Sequence, residues 1–370
     1  MSLIAAALAL AAPPAPPPPV VSVPYVPPVS KILVARAGEV RCAGDLVAPL
    51  RMDPPIPMAS SSTAPPPVAL KFRVDASGRP LGIAHAVETS SGSPWHMRDI
   101  QPALAAWQFE AGPERSDCSV TFTFDAKAVE EIDDEAALRY AALSRFGTPG
   151  YNAALARTAF ERGRGEGSTC TRPLERRRLE YAPADLLPKV PGAPSFTIAT
   201  HDVDSKGKPV RARVLSSSGN EELDRHTLKA LRASRFAPEE RRGCVQMFRR
   251  SAGLLPAPPP IPVRGERPSK TCSNGAKPAW KKAPSSGFPE PFRRRSIEGW
   301  AIVRYDVAPW GQIGNVSVLA AEPASDLGEH AANLVRNASK VESATGFSGC
   351  VDILMFKLPS EDQARDEAED

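Results

Sequence analysis

The sequence predicts an α+β protein built from three small strand-strand-helix-strand units in tandem, each holding one disulfide. Three observations carry that expectation: a glycine-containing turn between two apolar strands recurs three times, a helix-patterned stretch follows each hairpin, and six cysteines fall into matched pairs. The turns are Val74-Asp75-Ala76-Ser77-Gly78-Arg79-Pro80, Val203-Asp204-Ser205-Lys206-Gly207-Lys208-Pro209 and Val307-Ala308-Pro309-Trp310-Gly311-Gln312-Ile313. Each places glycine where the backbone needs a positive φ.

The 370 residues suffice for two to three domains, and a hydrophobic content of 42% excludes disorder throughout. Lysine and arginine total 46 against 42 acidic residues, and a net charge of +4 gives little electrostatic case for a nucleic-acid partner. The 41 prolines predict Pro-rich linkers and exclude an all-helical chain.

In chain order, Leu3 to Leu10 has the length of a signal-peptide apolar core and runs into Ala9-Leu10-Ala11, so 1–11 reads as an export signal. No positive residue precedes it, and Lys31 is the first charged residue. Residues 12–36 read as a Pro-rich extended segment. The first unit is expected over 37–128, with a strand from Val68 to Val74, Pro102 in the first turn of a short helix ending near Trp107, and a last strand from Cys118 to Phe124. A spacer over 129–165 has helical composition broken at Gly147-Thr148-Pro149-Gly150, which gives two short helices.

The second unit, 166–255, shows Val210, Ala212 and Val214 alternating with Arg211 and Arg213, then Ser218-Gly219-Asn220-Glu221 at capping-box spacing and a helix face of Leu223, Thr227 and Leu231. A Pro-rich linker over 256–266 leads to the third unit, 267–360, where Asp326 can cap a helix whose face is Leu327, Ala331, Leu334, Val335 and Ala338. Pro-rich stretches at both boundaries predict separately folded units on tethers. The acidic end, 361–370, reads as a tail.

Cys118, Cys244 and Cys350 each open the last strand of a unit, and Cys42, Cys170 and Cys272 lie upstream at separations of 76, 74 and 78 residues. Of the fifteen ways to join six cysteines, this periodicity selects Cys42 with Cys118, Cys170 with Cys244 and Cys272 with Cys350. Metal ligation would need closely spaced Cys-x-x-Cys or histidine partners, which are missing. Each bridge is worth roughly 4 kcal/mol through the unfolded state, and disulfides suit an exported protein.

Phe288-Pro289-Glu290-Pro291-Phe292-Arg293-Arg294-Arg295-Ser296-Ile297-Glu298-Gly299-Trp300, followed by an alternating strand and a glycine turn, resembles the C-terminal domain of TonB energy transducers. Ser217-Ser218-Gly219 with Arg235-Phe236-Ala237-Pro238, and Ser90-Ser91-Gly92 with Trp107-Gln108-Phe109, are similar to the downstream half of the same pattern. The resemblance implies a non-enzymatic periplasmic protein that recognises outer-membrane TonB-dependent receptors. TonB transducers are anchored by an N-terminal transmembrane helix, whereas the aliphatic run Leu3 to Ala12 is well short of the roughly 18 to 20 residues a span needs. Receptor binding is therefore expected rather than force transmission.

Catalytic signatures are missing. His85, His96, His201, His226 and His330 show no metal-ligand spacing, Gly163-Arg164-Gly165-Glu166-Gly167 is no dinucleotide fingerprint, and Gly346-Phe347-Ser348-Gly349 is no nucleophile elbow. No cofactor, metal, nucleic acid or small-molecule substrate is expected. An open sheet edge can pair with an extended peptide, and the candidate edge comprises Val351, Asp352, Ile353, Leu354 and Phe356 with the approach at Phe288 and Pro289. The alternative is an envelope adaptor that binds peptidoglycan or other anionic surfaces through Arg176 to Arg178, Arg241-Arg242 with Arg249-Arg250, and Arg293 to Arg295.

Overall fold

A computed structural model describes residues 31–87, 99–144, 148, 150–178, 180, 187–260, 271–285 and 287–359. The expected signal segment 1–11, the Pro-rich stretch up to residue 30, Ser90-Ser91-Gly92, most of the 256–266 linker and the acidic tail lie outside these residues.

The first unit begins with β1 (Lys31–Ala37), a short hairpin of β2 (Arg41–Cys42) and β3 (Asp45–Leu46), and β4 (Met58–Ser60). Its β-β-α-β body follows as β5 (Val68–Val74), β6 (Pro80–His85), α1 (Ile100–Ala105) and β7 (Arg115–Ala128). Two helices, α2 (Asp134–Leu143) and α3 (Ala153–Arg162), form the expected spacer. Next come β8 (Arg176–Arg178), β9 (Ser195–Val203), β10 (Pro209–Ser217), α4 (Glu221–Ala233), β11 (Arg235–Phe236) and β12 (Arg241–Arg250). The last unit contains β13 (Thr271–Cys272), β14 (Gly275–Ala276), β15 (Trp280–Lys282), α5 (Glu290–Arg294), β16 (Gly299–Val307), β17 (Ile313–Glu322), α6 (Ser325–Arg336), β18 (Ser339–Lys340) and β19 (Phe347–Phe356).

The three bodies share one antiparallel order, with the first strand of each hairpin central: β6-β5-β7, β10-β9-β12 and β17-β16-β19. Their turn glycines adopt φ of 83°, 77° and 85° at Gly78, Gly207 and Gly311. A Cβ there would stand 2.1 Å from the carbonyl oxygen of Phe109, Phe236 and Lys340 respectively. Those same three residues donate their N–H to the glycine carbonyl, so the turn is stitched to the chain after the helix and tolerates no side chain. The disulfides join the expected pairs, and the described residues hold no free cysteine. Non-reducing peptide mapping is expected to return these three links; a bridge between units would overturn the assignment.

Two caps differ from the sequence expectation. Asn220, rather than Ser218, caps α4 by accepting the Leu223 N–H, while Ser218 ties β9 through Phe196. The start of α6 is satisfied from another unit, because Gln101 of α1 accepts the Asp326 N–H at 3.1 Å and bonds Ser325.

Separate units on tethers are not what forms. One apolar core runs from Leu70, Phe72 and Phe122 of the first unit through Ala301, Val303 and Leu327 of the third. Glu322 accepts from Arg73 (2.8 Å) and from the Gly82 N–H (2.6 Å), and the Ile83 N–H donates to Pro323. The cause is legible in β9 and β16, which are buried on both faces almost throughout. A single helix covers only one face of a three-stranded sheet. The second face of β16 is covered by the Pro-rich chain itself, since Trp300 Nε1 donates to Pro258 at 2.8 Å and Ile302 packs near Ala257. On β9 the second face is covered by α2, whose Leu138, Ala142 and Leu143 meet Phe196 and Ile198. The opposite side of α2, with Ala137 and Tyr140, packs on Ile32 and Val34 of β1. The spacer is thus a shared layer between the first and second sheets.

Candidate functional site

The disulfides provide a common ruler for the last strands. Cys118, Cys244 and Cys350 stand opposite Phe72, His201 and Tyr305. In β7 the Thr121 carbonyl accepts the Gly38 N–H at 2.8 Å, and strand alternation then turns Ser119, Thr121 and Thr123 outward, away from β5. That outer edge is occupied. β2 pairs with it at Ser119, and β1 pairs antiparallel with residues 122–128 along its whole length.

Counting from the cysteines, the equivalent outward residues are Val245, Met247 and Arg249 in β12, and Val351, Ile353 and Met355 in β19. The start of each edge is covered. Thr169 N–H donates to Arg242 at 3.0 Å, Ser273 N–H to Ser348 at 2.9 Å, and Lys277 Nζ to the Val351 carbonyl at 2.6 Å. Further along, no described residue pairs with the peptide groups of Val245, Met247, Ile353 or Met355. Among the described residues these are the open ladder positions of the second and third units.

The structure sorts the expected site residues. The peptide groups of Val351 and Ile353 point to the outer edge, that of Val351 already engaged by Lys277, while the Val351 side chain is buried with Trp300 and Ile302. Asp352, Leu354 and Phe356 direct their peptide groups to β16, because they alternate with the outward set. The Asp352 carboxylate accepts from Lys277 at 2.7 Å and from the Tyr305 hydroxyl at 2.5 Å. Burial, and then Asp352, push the Tyr305 pKa up. Phe288 packs edge-on against Phe356 with centroids 6.0 Å apart, and Pro289 caps α5, its carbonyl taking the Phe292 and Arg293 N–H groups. Phe288 thus supports the strand from one face rather than from its edge, and Pro289 belongs to the start of α5. Met355, 41% exposed, and Lys277 went unrecognised in the sequence, although alternation counted from Cys350 identifies the first.

The arginine clusters are largely committed. Arg295 is fully buried and bonds Asp53 and Asp99, the latter at 2.7 and 2.9 Å, while Arg294 pairs with Asp99 at 2.8 Å. Only Arg293 of that trio faces solvent, with 58% of its side chain exposed. Arg241 pairs with Glu239, Arg242 with Glu240 and Arg178 with Glu180, and Arg250 is buried. Of the basic faces expected from the sequence, Arg250, Arg294 and Arg295 are internal, whereas Arg176, Arg177, Arg178 and Arg242 are exposed, the last two beside a carboxylate.

Three antiparallel β-β-α-β bodies whose last strand forms a sheet edge, two of them open, define a class of small α+β domain suited to edge pairing. Residues 197–250, from β9 to the end of β12, match the family of the Gram-negative bacterial TonB protein C-terminal. The family resemblance therefore holds on the second unit, in one copy, although the fuller motif from Phe288 to Trp300 lies in the third. Among curated proteins none matches the chain. No helix of the described residues is long and apolar enough to cross a membrane.

Proposed function

We propose that the chain is a non-enzymatic periplasmic protein that binds extended segments of outer-membrane TonB-dependent receptors by strand addition, in association with energy-coupled transport. The three units are divergent copies of one domain, and the accepting edges are those of β12 and β19. One observation carries the reading: the same edge in the first unit already holds an added strand, β1, along seven paired residues. What the chain does to itself at β7, a receptor segment does at β12 or β19. The family match on the second unit supplies the partner class. Wall binding through arginine faces loses its main support with Arg294 and Arg295 buried.

Because the first and third units share a core, the test uses the whole protein. Calorimetry with peptides from the plug-proximal region of such receptors is expected to show binding. Met247→Pro or Ile353→Pro, each removing one outward backbone donor, is expected to weaken it roughly tenfold, about 1.4 kcal/mol. Thermal unfolding on the same samples identifies a variant that has lost its fold. Unchanged affinity in both folded variants would refute strand addition at these edges.

A further inference from the structure

A cavity of about 730 Å³ lies between the arch of α2 and α3 and the face of the second sheet, beside the edge described above and not part of it. Its floor is apolar, from Leu138 and Leu215, and its walls are charged. Most of those charges already have partners: Arg162 bonds Asp134 and the carbonyls of Val129 and Ile132, and Arg211 bonds Asp202. Two do not. The Arg164 and Arg213 guanidinium groups line the cavity without a hydrogen bond or ion pair to any described residue.

Hydroxyl groups meet them. Arg213 pairs across the strands with Thr200, and Ser216 with Ile198, which places Thr200, Arg213 and Ser216 on the cavity face. The Ser216 Oγ is buried and has no partner. A buried hydroxyl left unpaired is costly, and a ligand that bonds it would relieve that cost. Among the lining carboxylates only Glu135 is unpaired, so two free guanidinium groups outnumber one free carboxylate.

We infer that this cavity binds a small organic anion, with Arg164 and Arg213 on its carboxylate or phosphate and the Ser216 and Thr200 hydroxyls bonding its remaining acceptors. The volume lies in the range of small-molecule sites, and paired guanidinium groups are the usual means of fixing a planar or tetrahedral anion. The inference is independent of strand addition, because none of these residues lies on the open positions of β12 or β19.

The test is calorimetry on the full chain at constant ionic strength, with succinate as the carboxylate probe and inorganic phosphate as the other. Saturable binding of either is expected, and the stronger identifies the anion class. The double variant Arg164→Gln with Arg213→Gln is expected to weaken it by roughly tenfold or more, and Ser216→Ala by a smaller factor. Arg293→Gln, an exposed arginine elsewhere, is expected to change nothing. Since neither guanidinium has a partner among the described residues, the double variant is expected to keep the wild-type melting temperature. The inference is overturned if neither probe binds at high millimolar concentration, if the double variant binds as tightly as wild type, or if Arg293→Gln weakens binding equally.

Discussion

Arg295→Ala is expected to destabilise the protein by about 3–5 kcal/mol, the usual cost of removing one partner from a buried ion pair. The guanidinium is fully buried and bonds Asp53 of the β3–β4 connection and Asp99 at the start of α1, with the Pro54 carbonyl at 3.3 Å. Arg139 of α2 reaches Asp53 at 3.2 Å from the other side. One side chain of the third unit thus ties it to the first unit and, through Asp53, to the spacer. Burial opposes ionisation of Asp99, yet Arg294 and Arg295 hold its carboxyl at about 2. Because that value lies below the unfolded carboxylate range near 3.9, the stabilisation is complete above about pH 4 and is lost as pH falls toward 2. Urea unfolding at pH 7 checks the substitution, with Arg293→Ala as the exposed control expected to lie within about 0.5 kcal/mol of wild type. A loss below 1 kcal/mol for Arg295→Ala would show that the cluster contributes no more than a surface pair.

The turn glycines and the disulfides were legible because each depends on local chemistry or on spacing. Gly78, Gly207 and Gly311 announce a positive φ, and six cysteines on a common period leave one economical pairing. Residues 293–295 show what was not legible. Three consecutive arginines look alike in a sequence, yet the short helix α5 turns them in different directions: Arg293 to water, Arg294 and Arg295 to Asp99. Their partners, Asp53 and Asp99, lie some two hundred residues away and belong to no repeating pattern. The shared core had a trace in the sequence. Trp300-Ala301-Ile302-Val303 is a continuous apolar run, which signals a strand covered on both faces, whereas Val210 to Val214 alternates as a half-exposed strand does. The added strand β1 was hidden by its neighbours, because Lys31 to Arg36 follows directly on proline-dense chain and reads as part of it.

His201→Phe is expected to raise stability and to remove a loss that wild type suffers on acidification. His201 is 1% exposed, its ring stacks on Phe236 at 5.5 Å, and neither ring nitrogen has a partner. Burial pushes its pKa down to about 4, against a weak upward pull from Asp202. The unfolded histidine, near 6.5, therefore takes up its proton first. Stability falls as pH drops from about 6.5 to about 4, by roughly 3 kcal/mol in all, and the contribution is constant below that. The other two units show what the position accepts, because Phe72 and Tyr305 stand opposite Cys118 and Cys350 as His201 stands opposite Cys244. Phenylalanine keeps the ring contact with Phe236 and discards two unpaired nitrogens, a gain of about 1–3 kcal/mol at neutral pH. Urea midpoints at pH 7.5 and 4.5 separate the two effects: the variant should exceed wild type at both, and by more at the lower pH. Equal acid sensitivity in the two proteins would assign the titration to other groups and leave His201 as an ordinary packed ring.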